Sequence, residues 1–149
     1  MERIVDARPV DLDLTLVWNS DEHGSLTGKL RARNLSDGAV RLGGKPGLQV
    51  LGVDGMPLDV RCILSAEFRP PGYVDLYPGE EAVSPVLWAG WDGRPASGDV
   101  VVRLPGGSAR VRCSGPRQPT AAGPAMNLSS SWWKRIDDAN YGGSIDSAR

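Results

Sequence analysis

Apolar and polar residues alternate one for one along much of this chain, and that period limits the structures open to it. Leu12, Leu14, Leu16 and Trp18 alternate with Asp13, Thr15 and Val17. After the polar, glycine-containing stretch Asn19 to Ser25, Leu26, Gly28, Leu30 and Ala32 alternate with Thr27, Lys29, Arg31 and Arg33. Successive side chains of a strand point to opposite faces, so a period of two buries one face and leaves the other in water. The second segment has a plainly polar outer face, and the two together read as a hairpin.

The rest of the chain repeats the pattern in shorter pieces. Apolar segments over Val40 to Leu42, Leu48 to Val53, Pro57 to Leu64, Tyr73 to Leu76, Ala82 to Trp91, Val100 to Leu104 and Ser108 to Cys113 are separated by turn sequences. These turns include Asn34 to Gly38, Gly43 to Gly47, Asp54-Gly55, Pro78-Gly79 and Pro105-Gly106-Gly107. Ala82 to Trp91 is long and apolar, which predicts a central strand, but Pro85 within it demands a bulge or an edge. Nineteen Gly and 12 Pro fit many short strands joined by turns. The spacing predicts an all-β, immunoglobulin-like antiparallel sandwich of about seven to eight strands with an extended or short-helical C-terminal tail. The expected organisation is a sandwich over residues 1–115, a Pro/Gly linker over 116–126, and a tail over 127–149.

Between Leu26 and Trp88 the layout resembles DUF4232, a family of small β-sandwich domains from actinobacteria. The similar pieces are the strand ending in Asn34, Leu42-Gly43-Gly44-Lys45-Pro46-Gly47, Asp54-Gly55-Met56-Pro57-Leu58, Leu76-Tyr77-Pro78-Gly79-Glu80-Glu81-Ala82, and a strand carrying Trp88. Their order and spacing together carry the match. The chain departs from the family pattern at Val40, where members usually have a cysteine. Many members look exported or lipid-anchored. The resemblance implies a sandwich fold and no catalytic residues.

Chemistry is sparse in the sequence. His23, the single histidine, sits in a polar turn, and no Gly-x-Ser-x-Gly elbow accompanies it. Gly43-Gly44-Lys45 lacks the spacing of a phosphate-binding loop, since Pro46 follows the lysine, and reads as a tight turn. Asp11, Asp13, Asp21-Glu22 and Asp137-Asp138 form no calcium-loop motif. Cys62 and Cys113 have no metal-site spacing; buried thiols are the first reading and a strand-to-strand disulfide the second. The chain therefore reads as non-enzymatic, with no cofactor. Seventeen basic residues against 18 acidic ones give no overall field to draw in nucleic acid. No apolar stretch is long enough for a membrane helix. The N-terminus lacks the apolar core of a signal peptide, which favours the cytoplasm, an exported mature form being the alternative.

The tail carries the main functional expectation. Ser131 suits the cap of a short helix that would place Trp132, Trp133 and Ile136 on one face. Each tryptophan buries ~150–250 Å² when docked. At ~25 cal/mol per Å² the pair contributes at most about 8–12 kcal/mol. So much apolar surface must dock, either on the chain's own sandwich or on a partner. The expected role is a protein-interaction or assembly module, with another protein or a second copy held through Trp132, Trp133 and Ile136. The alternative is a ligand-binding sandwich that recognises carbohydrate or another cell-envelope component through Trp91 and Asp92.

Overall fold

The alternation of the sequence is realised strand by strand. In β3 (Leu26–Asn34) every second residue is buried, from Leu26 through Leu30 to Asn34, and the residues between are exposed. The computed structural model describes residues 4–20, 26–52, 55–57, 61–64, 72–89, 99–114 and 127–136; over 61–64 only the backbone is described. The other strands are β1 (Val5–Asp6), β2 (Leu12–Ser20), β4 (Val40–Gly43), β5 (Gly47–Val50), β6 (Arg61–Leu64) and β7 (Tyr73–Leu76). They continue as β8 (Glu81–Ala89), β9 (Asp99–Leu104), β10 (Gly107–Ser114), β11 (Asn127–Ser130) and β12 (Lys134–Arg135). The tally exceeds the sequence-based one in part because β1 and β12 span only two residues each, and because β11, Asn-Leu-Ser-Ser, has a single apolar residue.

A small sheet, ordered β1-β4-β7, faces a long curled sheet ordered β5-β9-β10-β2-β3-β8-β11-β6, with β12 also on β8. The result is sandwich-like and nearly all β. Most pairings are antiparallel, but β1 with β4, β10 with β2, and β11 with β6 run parallel. The long sheet curls until β5, at one end, lies against β6 and β11 at the other. A hydrogen bond from Ser130 Oγ to the Pro46 carbonyl, 2.6 Å, fastens the two ends.

Trp18 and Trp88 anchor the core, both fully buried, with ring centroids 6.2 Å apart and planes at 69°. This edge-to-face arrangement suits the ring quadrupoles. Trp18 lies opposite Gly28, where an added Cβ would come within 2.8 Å of the indole. Glycine there lets the ring lie flat across β3.

Asn34 ties three segments together at the end of β3. Its side-chain amide donates to the carbonyls of Gly38 and Leu76, at 2.8 and 2.9 Å. Its Oδ1 accepts from the Ser36 amide and hydroxyl, at 2.8 and 2.7 Å. Both donors and both lone pairs of the amide are therefore used. Its backbone also pairs with the next turn, Asn34 N–H donating to Glu80 O and Gly79 N–H to Asn34 O. Pro78-Gly79 forms a turn closed by Glu80 N–H to Tyr77 O, and the Gly79 φ of 85° is the positive angle a type II turn needs at that position. Asn34 itself is buried, 1% exposed.

Residues 127–136 add two short strands to the sheet. β11 lies between β8 and β6, Leu128 opposite Trp88. The short helix weighed for this region does not form up to Ile136; the backbone is extended, with strand at Lys134–Arg135. Pro85 explains how. In β11 Ser130 faces Val86, but in β12 Lys134 faces Val83, so three residues of the tail span two of β8. This is a β-bulge, opposite the proline. Ser131 N–H donates to Pro85 O at 3.0 Å. Pro85 has no N–H to return to the Ser131 carbonyl, and the buried Ser84 hydroxyl donates to it instead, at 2.8 Å. The extra residue turns Trp133 into the core, 4% exposed.

Cys113 is a buried thiol and not half of a disulfide. Burial pushes its pKa from 9.0 up to about 12. The Cys62 side chain lies outside the described residues.

Three outcomes follow for stability. Asn34→Ala and Asn34→Asp each lower the unfolding free energy by about 2–4 kcal/mol in urea titrations, since each strands buried polar partners. Trp133→Ala costs about 3–5 kcal/mol, well above Trp132→Ala, whose ring is only half-buried. Between pH 9 and about 12 the folded state holds the Cys113 proton that the unfolded chain releases. The thiol's contribution to stability is thus complete below pH 9 and declines as pH rises toward 12. The loss should vanish in Cys113→Ala.

Candidate functional site

The outer face of the long sheet carries a groove beside two exposed apolar side chains, Val17 and Leu87. Adjacent strands set its side chains in rows. In one row Val17 on β2 faces Lys29 on β3, which faces Pro85 on β8. In the next, Asn19 faces Thr27, Thr27 faces Leu87, and Leu87 faces Ser129 on β11. These two rows bound a groove of about 470 Å³. Pro85 and Leu87 give it apolar surface, with Gly28 and Val86 beside them; Asn19, Thr27, Ser129 and Ser131 supply hydroxyl and amide groups; Lys29 stands at one side. Leu87 is 41% exposed and Val17 39%.

Farther along the same face the rows turn cationic. Lys29, Arg31 and Arg33 stand on β3, all exposed. Their outward spacing is roughly 7 Å, two residues of strand. Arg110 and Arg112 occupy outward positions of β10, Arg103 of β9, and Lys134, opposite Val83, of β12. These seven cations share the face with three described carboxylates, Asp13, Glu81 and Asp99. Arg110 and Arg112 both reach Asp99, and Arg31 lies 4.0 Å from Glu81. Exposed pairs of this kind bind weakly and leave the charge available. Among the described residues Lys29 and Arg33 have no ion-pair partner.

The small sheet has a different outer surface. The Arg41 guanidinium lies 3.8 Å from the Tyr73 ring centroid and grips Asp75 through two hydrogen bonds, 2.8 and 3.2 Å. Its bond to Asp75 holds the guanidinium pKa above its ordinary value. Tyr73 and Tyr77 are both more than half exposed.

The residues expected to bind a partner are placed as follows. Trp133 lies in the core. Trp132 is half-buried, with the Lys45 ammonium 4.9 Å from its ring centroid. Ile136 is half-buried and its N–H donates to Glu81 O. Arg135 pairs with Glu80, whose pKa is depressed first by the Tyr77 N–H it accepts, against burial, and then by Arg135. Instead of sharing one helical face, the aromatic residues alternate across an extended segment that docks on its own sandwich. Trp91, Asp92 and His23 lie outside the described residues, as do Asp21-Glu22, the 116–126 stretch and Asp137-Asp138.

Among the described residues no three His, Cys, Asp or Glu gather to hold a metal, and no helix is long and apolar enough to cross a membrane. The groove went unrecognised in the sequence because Ser129 and Ser131 meet β8 across more than 40 residues of chain. One signal was present. Val83, Pro85 and Leu87 make β8 apolar on both faces, where a strand with one wet face should alternate.

Comparison with known proteins adds one match. The family model described as a domain of unknown function, DUF4232, matches residues 8–134. No curated protein matches the sequence. The match runs from the start of the first long hairpin through β11 and into β12, so the strand that walls the groove is part of the shared pattern. The chain belongs to the DUF4232 family.

Proposed function

We propose that this domain is a non-catalytic binding module whose contact surface is the outer face of β2, β3, β8 and β11. One observation supports the reading above others: a groove of about 470 Å³ with exposed Leu87 at its edge and hydroxyl groups around it, on a sheet face otherwise crowded with charge. Apolar surface rimmed by polar groups is the usual form of a protein contact site. On this reading the tail serves binding through Ser129 and Ser131, which line the groove, while its buried indole holds them in place.

A second reading, recognition of carbohydrate or another cell-envelope component, draws support from the small sheet. Tyr73 is more than half exposed, with the Arg41 guanidinium of the Arg41–Asp75 pair over one face of its ring, a mixture of aromatic surface and planar hydrogen-bonding groups of the kind that binds sugars. Tyr73→Ala should then weaken glycan binding while leaving the groove unaffected.

The principal reading is tested by selecting peptides from a random displayed library on the folded domain. Enriched peptides should lose about tenfold or more in affinity for Leu87→Asp, the scale of a lost apolar anchor. Absence of enrichment, or equal affinity for the variant, would contradict it.

A further inference from the structure

Resting on the groove as a binding surface, we infer that its partner is an extended acidic peptide segment: an apolar side chain seats beside Pro85 and Leu87, and carboxylates follow along Lys29, Arg31 and Arg33. The first argument is charge. The chain carries a net charge of −1, yet the outer face of the long sheet holds seven cations against three carboxylates among the described residues. Lys29 and Arg33 have no ion-pair partner among those residues, and Arg112, whose side chain is 89% exposed, only grazes Asp99 at 3.9 Å. A field of this sign draws anionic partners and raises their association rate.

The second argument is spacing. Lys29, Arg31 and Arg33 recur every second residue of one strand, roughly 7 Å apart. An extended peptide presents its own alternate side chains at the same repeat. Acidic residues at every second position therefore meet this column in register, most favourably at Lys29 and Arg31, since Asp13 and Glu81 flank Arg33 on β2 and β8. Arg31 and Arg33 offer the planar fork that matches a carboxylate.

The third argument is the junction between the two surfaces. Lys29 belongs to both, since it lines the groove and begins the cationic column. A ligand using both must carry an apolar group directly followed by negative charge, which peptide sequence provides readily. A nucleic-acid strand fits less well, because among the described residues the exposed rings that would stack its bases, Tyr73 and Tyr77, accompany the other sheet. An acyl chain fits less well too, because a groove on an open sheet face does not enclose a lipid tail as a buried pocket does.

The test is fluorescence anisotropy on the full chain with two labelled ten-residue probes. One is a leucine followed by alternating serine and glutamate; the other replaces glutamate with glutamine. The acidic probe should bind at least about tenfold more tightly, weaken steeply with salt, and lose about tenfold or more on Arg31→Glu/Arg33→Glu. Lys29→Glu should weaken it as well. The altered residues are exposed, so melting temperature serves as the control for folding. Equal binding of both probes, unaffected by the charge reversals, would overturn the acidic assignment while leaving the groove reading intact. Failure of both probes to bind, together with failure of peptide selection on the groove, would remove both readings. Tighter binding of single-stranded DNA, polyphosphate or phosphatidylglycerol vesicles than of the acidic probe would overturn the choice of a peptide.

Discussion

Strand β8 lies in the interior of the long sheet, and an interior strand needs backbone partners along both edges. On one side it has β3, paired over eight residues. On the other, the chain supplies β11 and β12, after the Pro/Gly-rich 116–126 stretch. Without them a long apolar strand would offer an open edge, a template for aggregation. Pro85 makes this pairing harder and shapes it. Its missing N–H is replaced by the Ser84 hydroxyl, and the accompanying bulge turns Trp133 inward. The groove is a product of the same closure, because Ser129 and Ser131 come from the closing segment and Pro85 and Leu87 from the strand being closed.

The remainder of the fold supports that junction at two points. Asn34 fixes the turn that launches β8, by hydrogen bonds from the end of β3 to Leu76 and Gly79. The loop around Lys45 and Pro46 receives the other end of the closure, through the Ser130 hydroxyl and the contact of Lys45 with Trp132. Segments far apart in the family pattern are thus neighbours in space: the strand ending in Asn34 meets Tyr77-Pro78-Gly79-Glu80, and Gly44-Lys45-Pro46 meets the tail.

What could be read from sequence depended on whether a signal was local. Alternation in β2, β3 and β9 and the Pro105-Gly106-Gly107 turn are local, and they located strands, faces and the buried Trp18. Pro85 called for a bulge or an edge; the structure has a bulge, with the extra residue on the tail segment opposite. The conformation of the tail was not legible. Ser131 with three apolar residues after it satisfies a helical turn as well as a bulged strand, and only the free edge of β8, more than 40 residues away, decides between them. The cationic face was hidden for a related reason. Overall charge is nearly balanced, and only the register of β3, β10 and β12 shows that many of the cations share one surface. Cys113 was read correctly as a core thiol from its place in the alternation.

Closure of the long sheet by the tail requires residues 127–136 to belong to the cooperative core. Native-state hydrogen exchange measures this directly at the amides of Ser131 and Ile136, which donate to Pro85 O and Glu81 O. If the closure is as described, both exchange with free energies close to those of the central β3 and β8 amides. Exchange at rates near those of an unprotected chain, while β3 keeps its protection, would show that β8 is held without the tail and would contradict the account.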